Sequence, residues 1–328
     1  MVDTIRNRLL RLLADRRFHS GAAIAAELGV SRTSVWKWVR ELENLGLEIA
    51  ALPGKGYRVL SPLELLDSAV IRQHLGPEAA ASLTALLIHD QLDSTNTQLM
   101  RLAAEGAAAG TVCLAETQTA GRGRIGREWV SPFGSNIYLS LLWRYEDTSR
   151  IAGLSLAVGV GVVRALAGLG VADIGLKWPN DLLLGERKLG GLLIEVAGEA
   201  HGRCAVVVGL GLNRYLPPRL GRAIDQPWAD LSMNGGPPPR NRLVAALLDE
   251  LLPLLDRYAA VGLAPYLPEW RGHHRWQGRE AVIHQGETRT LGRIEDISAA
   301  GLLILRCADG RLREFASGDV RLRALDHG

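Results

Sequence analysis

The amino-acid sequence predicts a multidomain α/β chain: a winged helix-turn-helix first, a mixed α/β domain in the centre, and a small all-β unit last. Three observations carry this expectation. The 328 residues exceed twice the roughly 150 of an average domain. Apolar spacing is helical over the first forty residues, alternates between helix-like and strand-like through the middle, and is strand-like after Trp270. Charge is segregated as well: residues 1–61 hold ten Lys/Arg against six Asp/Glu, a local excess of +4, while the other 267 residues carry 28 basic and 29 acidic side chains.

Taken in chain order, Ile5, Leu9, Leu12 and Leu13 mark a first helix, Ser20 opens a second over 21–28, and Gly29-Val30 form a tight turn before Ser31 opens a third. Two helices about a glycine-containing turn make a helix-turn-helix. In the third helix Val35, Val39 and Leu42 face inward, which leaves Arg32, Thr33, Trp36, Lys37 and Arg40 as an outward stripe of basic and hydrogen-bonding groups. The runs 47–52 and 57–60 flank Pro53-Gly54-Lys55-Gly56, a hairpin wing with Lys55 at its tip. This geometry suits a helix in a DNA major groove, with Lys55 and Arg58 on phosphates. The competing reading is a docking or dimerisation module with solvated charges. Trp36 and Trp38 fit contact with a thymine methyl or packing on the wing equally well.

Residues 62–270 read as the mixed domain, with strands over 86–89, 111–116, 137–143, 182–184, 191–196 and 205–209 and helices over 94–105, 152–169 and 240–258. The uncharged apolar run 151–163, between Arg150 and Arg164, is too short to span a bilayer, so no membrane partner is expected. Cys113, Cys204 and Cys307 sit in apolar runs as buried thiols of a reducing compartment. The charged first seventeen residues contain no signal-like apolar segment, and a cytoplasmic location is expected. The histidines show no ligand spacing; His273-His274 would point to opposite sides of a strand, and no metal site is assigned.

Gly121-Arg-Gly-Arg-Ile-Gly-Arg-Glu-Trp129 satisfies the glycine spacing of a dinucleotide fingerprint. No helix opens at its third glycine, however, and no Gly-Lys-Ser/Thr follows, which removes both the dinucleotide and the Walker readings. What remains is a mobile glycine loop whose Arg122, Arg124 and Arg127 suit a polyanion. Lys177-Trp178-Pro179-Asn180-Asp181, Lys188-Leu-Gly-Gly191 and Gly209-Leu-Gly211-Leu-Asn213 place polar groups beside glycines where a backbone can approach a ligand. Asp93-Ser94-Thr95-Asn96 and Gln118 add a neutral hydrogen-bonding pocket.

As an ordered set these strings resemble the biotin protein ligase family, and with the winged helix they look like its bifunctional ligase and repressor members. The resemblance covers nearly the whole chain. It implies a central domain of the biotin/lipoate ligase type over 63–271, after a winged helix over 1–62, with an SH3-like β-barrel over 272–328 built from strands 280–284, 288–296, 301–307 and 311–315. By position it implies that Ser94, Thr95, Asn96, Gln118, Arg122, Gly123, Arg124, Lys188 and Gly191 bind biotin. Arg124, Arg127, Trp129, Asn180, Asn213 and Trp228 would handle ATP and the adenylate, and Lys188, Arg124 and Asp181 would carry catalysis. Ile125 stands where some members have a further arginine. The implied reaction joins biotin to AMP, with Mg²⁺ carried mainly by ATP, and passes biotin to a lysine of the biotin carboxyl carrier protein of acetyl-CoA carboxylase. The implied partners of the winged helix are operator DNA and a second copy, as an adenylate-bound homodimer. Two alternatives are a ligase with a non-regulatory winged helix and a non-catalytic sensor of biotinyl-AMP.

Overall fold

The structure, a computed structural model, describes residues 5–198, 202–222, 224–317 and 320–324. Its N-terminal part is α1 (Ile5–Leu13), α2 (Gly21–Leu28), α3 (Arg32–Asn44), β1 (Ile49–Leu52) and β2 (Gly56–Val59). Ser20 and Ser31 cap α2 and α3 by accepting from the backbone N–H of Ala23 and Ser34. Gly29, at φ +68°, ends α2 in the left-handed conformation that turns the chain toward α3. Val35, Val39 and Leu42 are buried, and Arg32, Thr33, Trp36, Lys37 and Arg40 are exposed, as the helical spacing requires. Trp36 is 52% exposed with the Arg40 guanidinium 5.8 Å from its ring centre, whereas Trp38 packs on the domain core. The wing departs from expectation at one residue. Lys55 is exposed at the tip, but the Arg58 guanidinium lies 4.7 Å over the Phe18 ring rather than extending from the wing.

The central part runs α4 (Ser68–Gln73), α5 (Pro77–Ser82), β3 (Ala85–Leu92), α6 (Thr95–Ala104), β4 (Thr111–Gln118), β5 (Ile137–Tyr145), α7 (Leu154–Gly168), β6 (Ile174–Lys177), β7 (Asp181–Leu184), β8 (Arg187–Gly198), β9 (Cys204–Leu212), α8 (Pro218–Gly221), α9 (Arg240–Val261) and α10 (Leu267–His273). Seven strands form one sheet in the order β3-β4-β5-β9-β8-β7-β6, parallel only between β3 and β4. The apolar helices α7 and α9 pack on each other in the core beside this sheet. His273 ends α10 and His274 caps it, so the pair lies at a helix terminus instead of on a strand. Burial lowers the His274 pKa to about 4, which keeps this ring neutral beside Trp270.

Strands β10 (Glu280–Gln285), β11 (Thr288–Ile297), β12 (Leu303–Cys307), β13 (Leu312–Phe315) and β14 (Val320–Ala324) form a five-stranded antiparallel sheet ordered β13-β12-β11-β10-β14. Where a small barrel is expected, the structure has this antiparallel sheet, with β14 as a further strand beside β10. Its apolar face (Ala281, Ile283, Ile294, Leu303, Leu305) belongs to the same hydrophobic core as α7, α9 and Trp270.

The junction of the first two parts is interlocked. Leu63 packs into the winged-helix core while Leu66 packs into the central one, and Phe133, from the loop before β5, is 1% exposed within the winged-helix core. Phe133 N–H donates to the Leu45 carbonyl just after α3. Behind it lies a buried ionic cluster. Arg240, at the start of α9, pairs with Glu116 of β4 and donates to the carbonyls of Asn136 and Glu64 at 3.0 and 3.1 Å. Glu116 also accepts from Leu66 N–H at 2.6 Å, so the chain leaving the wing is held by charge as well as by apolar packing. Burial lowers the neighbouring Arg214 to about 10, still protonated at neutral pH.

Candidate active site

The pocket lies over a floor of glycines. Register pairs Gly191 of β8 with Gly211 of β9, and Leu193 with Gly209, so three positions facing one way carry no side chain. A Cβ on Gly211 would strike the Trp129 ring, and one on Gly209 would strike the Asn96 amide. Absent side chains therefore let these two groups settle on the sheet.

At one end the N-terminus of α6 supplies neutral groups. Ser94 caps the helix, and Thr95 N–H and Oγ1 lie 2.9 and 3.2 Å from Gln118 Oε1. Ser140 Oγ, on β5, lies 2.7 Å from Thr95 Oγ1 and donates to Asn96 Oδ1 at 2.6 Å. Gln118 Nε2 donates to Ser131 Oγ at 3.3 Å, and Ser131 Oγ donates to the Trp129 carbonyl at 2.9 Å. Tyr138 completes this wall; burial pushes its phenol well above the usual tyrosine range, and its hydroxyl donates to the Pro132 carbonyl.

The other end is charged. A one-residue bulge at Leu189 in the β7–β8 ladder aims Lys188 across to Asp181, with Nζ 2.7 Å from Oδ1 and both side chains less than a fifth exposed. Lys188 is anchored at the backbone too: its N–H donates to Pro227 O, and its carbonyl accepts from Ala229 N–H. Arg124 Nη1 donates to Asn180 Oδ1 at 3.3 Å, and Nη2 donates to the Ser317 carbonyl. Asn180 Nδ2 in turn donates to the Leu192 carbonyl at 2.6 Å. Leu322 of β14 also reaches the wall, so the C-terminal sheet helps enclose this end.

Gly121 to Trp129 forms a narrow hairpin roof. Trp129 N–H donates to Gly121 O and Gly123 N–H to Arg127 O, so that Arg122 and Glu128 face each other as an antiparallel backbone bridge. Ile125 at its exposed tip adopts φ +56°, a left-handed conformation that costs a β-branched residue on the order of 1–2 kcal/mol. The Trp129 indole Nε1, in the wall, is buried without a protein acceptor.

The structure thus brings Ser94, Thr95, Asn96, Gln118, Arg122, Gly123, Arg124, Arg127, Trp129, Asn180, Asp181, Lys188 and Gly191 around one pocket. It does not bring Asn213 and Trp228 into the wall. Asn213 is buried at the end of β9, where Nδ2 donates to Ala229 O and Oδ1 faces Asn136 Nδ2 at 3.4 Å. Trp228 packs flat on Gly221 and donates to its carbonyl at 2.9 Å, while Gln226 faces the pocket in its place. Sequence reasoning missed Ser140, Tyr138, Gln226 and Leu322. Lys177, quoted only as part of a string, also lines the wall, 3.9 Å from the Trp276 ring centre. Its Lys-Trp-Pro-Asn-Asp context was the available signal.

Comparison with known proteins agrees with this architecture. The model of the biotin/lipoate A/B protein ligase family matches residues 88–213, an HTH domain matches 5–58, and the biotin protein ligase C-terminal domain matches 280–323. The bifunctional ligase/repressor BirA of Escherichia coli is 36% identical over 325 residues, 99% of each chain, and that of Bacillus subtilis 30% identical over 98% of this chain and 100% of its own. The biotin protein ligase of Aquifex aeolicus, solved in complex with biotin and ATP, superposes with TM-score 0.63 at 25% identity, covering 74% of this chain and 100% of its own. A helix-turn-helix, a glycine-floored pocket with one neutral and one cationic end, and full-length similarity converge: the chain belongs to the biotin protein ligase family, among the members that carry an N-terminal DNA-binding domain.

Proposed function

We propose that this protein is an ATP-dependent biotin protein ligase that also acts as a transcriptional repressor controlled by biotinyl-5′-AMP. The observation that carries the catalytic half is the polarity of the pocket. Among the described residues Arg122, Arg124, Arg127, Lys177 and Lys188 line it beside the carboxylates of Glu128 and Asp181, and with Arg122 paired to Glu195 the α6 end offers net uncharged hydrogen-bonding groups. A neutral ureido ring suits the second end and a triphosphate the first.

The first step drives the biotin carboxylate onto the α-phosphorus of ATP; a C–O–P linkage forms, the α–β phosphoanhydride breaks, and pyrophosphate leaves. Two anions must be held together, and Lys188 is placed to do this. Asp181 takes one of its three N–H donors and fixes the ammonium, leaving two for a carboxylate oxygen and a phosphate oxygen. Mg²⁺ enters with the substrate. Among the described residues no cluster of three His, Cys, Asp or Glu side chains could hold it, so the phosphates would supply most of its ligands. In the second step the acceptor lysine amine gives up a proton and attacks the acyl carbon, forming the C–N bond as the C–O bond to AMP breaks and AMP departs; Asp181 orients that amine or accepts its proton. The Gly121–Trp129 hairpin covers the mixed anhydride and keeps water from it. The acceptor is the biotin carboxyl carrier protein. Biotin-dependent ATP–pyrophosphate exchange tests the reading; a folded protein without it would be a sensor instead of an enzyme.

Residues 1–62 form the DNA-reading unit, 63–271 the catalytic unit and 272–328 the C-terminal unit in this proposal. Two winged helices on a palindromic operator require a homodimer, and the adenylate favours it by binding the dimer-competent conformation more tightly. DNA binding should strengthen with biotin plus MgATP but not with biotin alone; equal affinity and equal sedimentation mass in both would leave the winged helix non-regulatory. Arg32→Ala with Arg40→Ala is expected to weaken operator binding at least tenfold and to reduce its salt dependence, with carrier biotinylation unchanged. A loss of ligase activity would contradict the division of labour.

Gly209→Ala should raise KM for biotin by about tenfold or more, because β9 is locked between β5 and β8 and Asn96 must give way. A KM within twofold of wild type would refute the role of the glycine floor. Among the described residues no helix is long and apolar enough to cross a membrane.

A further inference from the structure

Glu195 follows Leu193 on the same face of β8, one step beyond the glycine floor, and belongs to none of the sequence motifs. Its carboxylate accepts from Asn96 Nδ2 at 2.8 Å and from Arg122 Nη2 at 3.2 and 3.4 Å. Asn96 Nδ2 also donates to the Leu193 carbonyl at 3.2 Å, and Oδ1 accepts from Ser140. Both amide donors are thereby committed inside the protein, and one lone pair on Oδ1 is left for a ligand. A flipped amide would set its oxygen against the Glu195 carboxylate, acceptor facing acceptor. Glu195 therefore fixes Asn96 as an acceptor. The same carboxylate compensates Arg122, whose Nη2 is held by Thr97 Oγ1 at 3.1 Å, so this guanidinium adds no unpaired charge to the neutral end.

We propose that Glu195 is a positioning residue for substrate selection: acting through Asn96 and Arg122 without touching the ligand, it makes this end of the pocket select a neutral group that presents an N–H donor. This rests on reading the pocket as the biotin site, and a ureido N–H is that donor.

The experiment compares wild type, Glu195→Ala, Glu195→Gln, Asn96→Ala and the Asn96→Ala/Glu195→Ala double variant in ATP–pyrophosphate exchange, resolving KM for biotin, KM for ATP and kcat. Glu195→Ala should raise KM for biotin about tenfold, the worth of a charge-assisted hydrogen bond, with KM for ATP within twofold. Glu195→Gln should recover part of that loss, since its amide oxygen still accepts from Asn96. The double variant should lose less than the sum of the two single losses, because Glu195 works in part through that side chain. An unchanged KM for biotin in Glu195→Ala, additive losses in the double variant, or equal rises in both KM values would overturn the positioning role while leaving the ligase reading intact. Absence of exchange in wild type would instead overturn the biotin-site reading and this proposal with it.

Discussion

Lys188→Ala should lower the rate of ATP–pyrophosphate exchange by about a hundred- to a thousandfold, the loss typical of removing one preorganised electrostatic partner from a developing charge. Two neighbouring cations are held elsewhere, Arg124 on Asn180 and the Ser317 carbonyl and Lys177 over the Trp276 ring. The β7–β8 bulge aims Lys188, Asp181 holds it at 2.7 Å, and the Trp129 ring centre lies 5.8 Å from its ammonium. The variant leaves Asp181 without its cation, so repulsion of the incoming carboxylate adds to the loss. Transfer from preformed biotinyl-adenylate to the carrier should suffer less, because pyrophosphate has already left. Lys188→Arg should fall between, since it keeps the charge while replacing a compact ammonium with a planar fork. Exchange within tenfold of wild type in Lys188→Ala would remove this lysine from the chemistry.

The second large effect is on stability. Arg240→Ala would leave the Glu116 carboxylate, 2% exposed, with the Leu66 N–H as its remaining close donor, and the loss of one partner of a buried pair costs about 3–5 kcal/mol. A lower urea midpoint and a lower Tm are the expected readouts. Pairing the change as Glu116→Gln with Arg240→Met should recover much of the loss, because the isolated charge disappears. If the single variant unfolded at the wild-type midpoint, the cluster would not be what holds α9 and the chain after the wing together. Asn136 carries the effect to the segment that follows β9. Its carbonyl accepts from Arg240, and its side-chain oxygen accepts from the backbone N–H of Arg214 and Tyr215, just after β9.

The residues legible in the sequence were those whose chemistry is written locally. Arginines interleaved with glycines, a lysine ahead of a glycine pair and a polar helix start each mean something within a few positions, and all three reached the pocket. Ser140, Glu195 and Leu322 were illegible because strand register and the C-terminal sheet deliver them from afar; nothing beside Ser140 in 137–145 distinguishes it from any other strand serine. Trp228 shows the converse. Its place in the chain matched the family pattern, but the bare surface of Gly221 decides where its ring lies. The strand Ile174–Lys177 was missed because four residues with a glycine carry too little periodicity, and β14 because its pairing with β10 comes from tertiary packing. Phe133, set between Pro132 and Gly134, carries no periodic signal that would place it in a core.

That phenylalanine bears on how such a chain can be shortened. Its ring completes an apolar core to which Leu9, Leu13, Val35 and Leu42 contribute, yet it is covalently part of the segment that continues from the pocket roof. Cutting the gene after codon 62 would strip the cover from Phe133 and Leu63 together, leaving a sticky scar on the enzyme that remains. A ligase-only derivative would therefore need resurfacing at Phe133 to remain dispersed, whereas silencing the DNA-reading face by exchanging Arg32 and Arg40 would leave no scar. The two activities are separable by substitution more readily than by amputation.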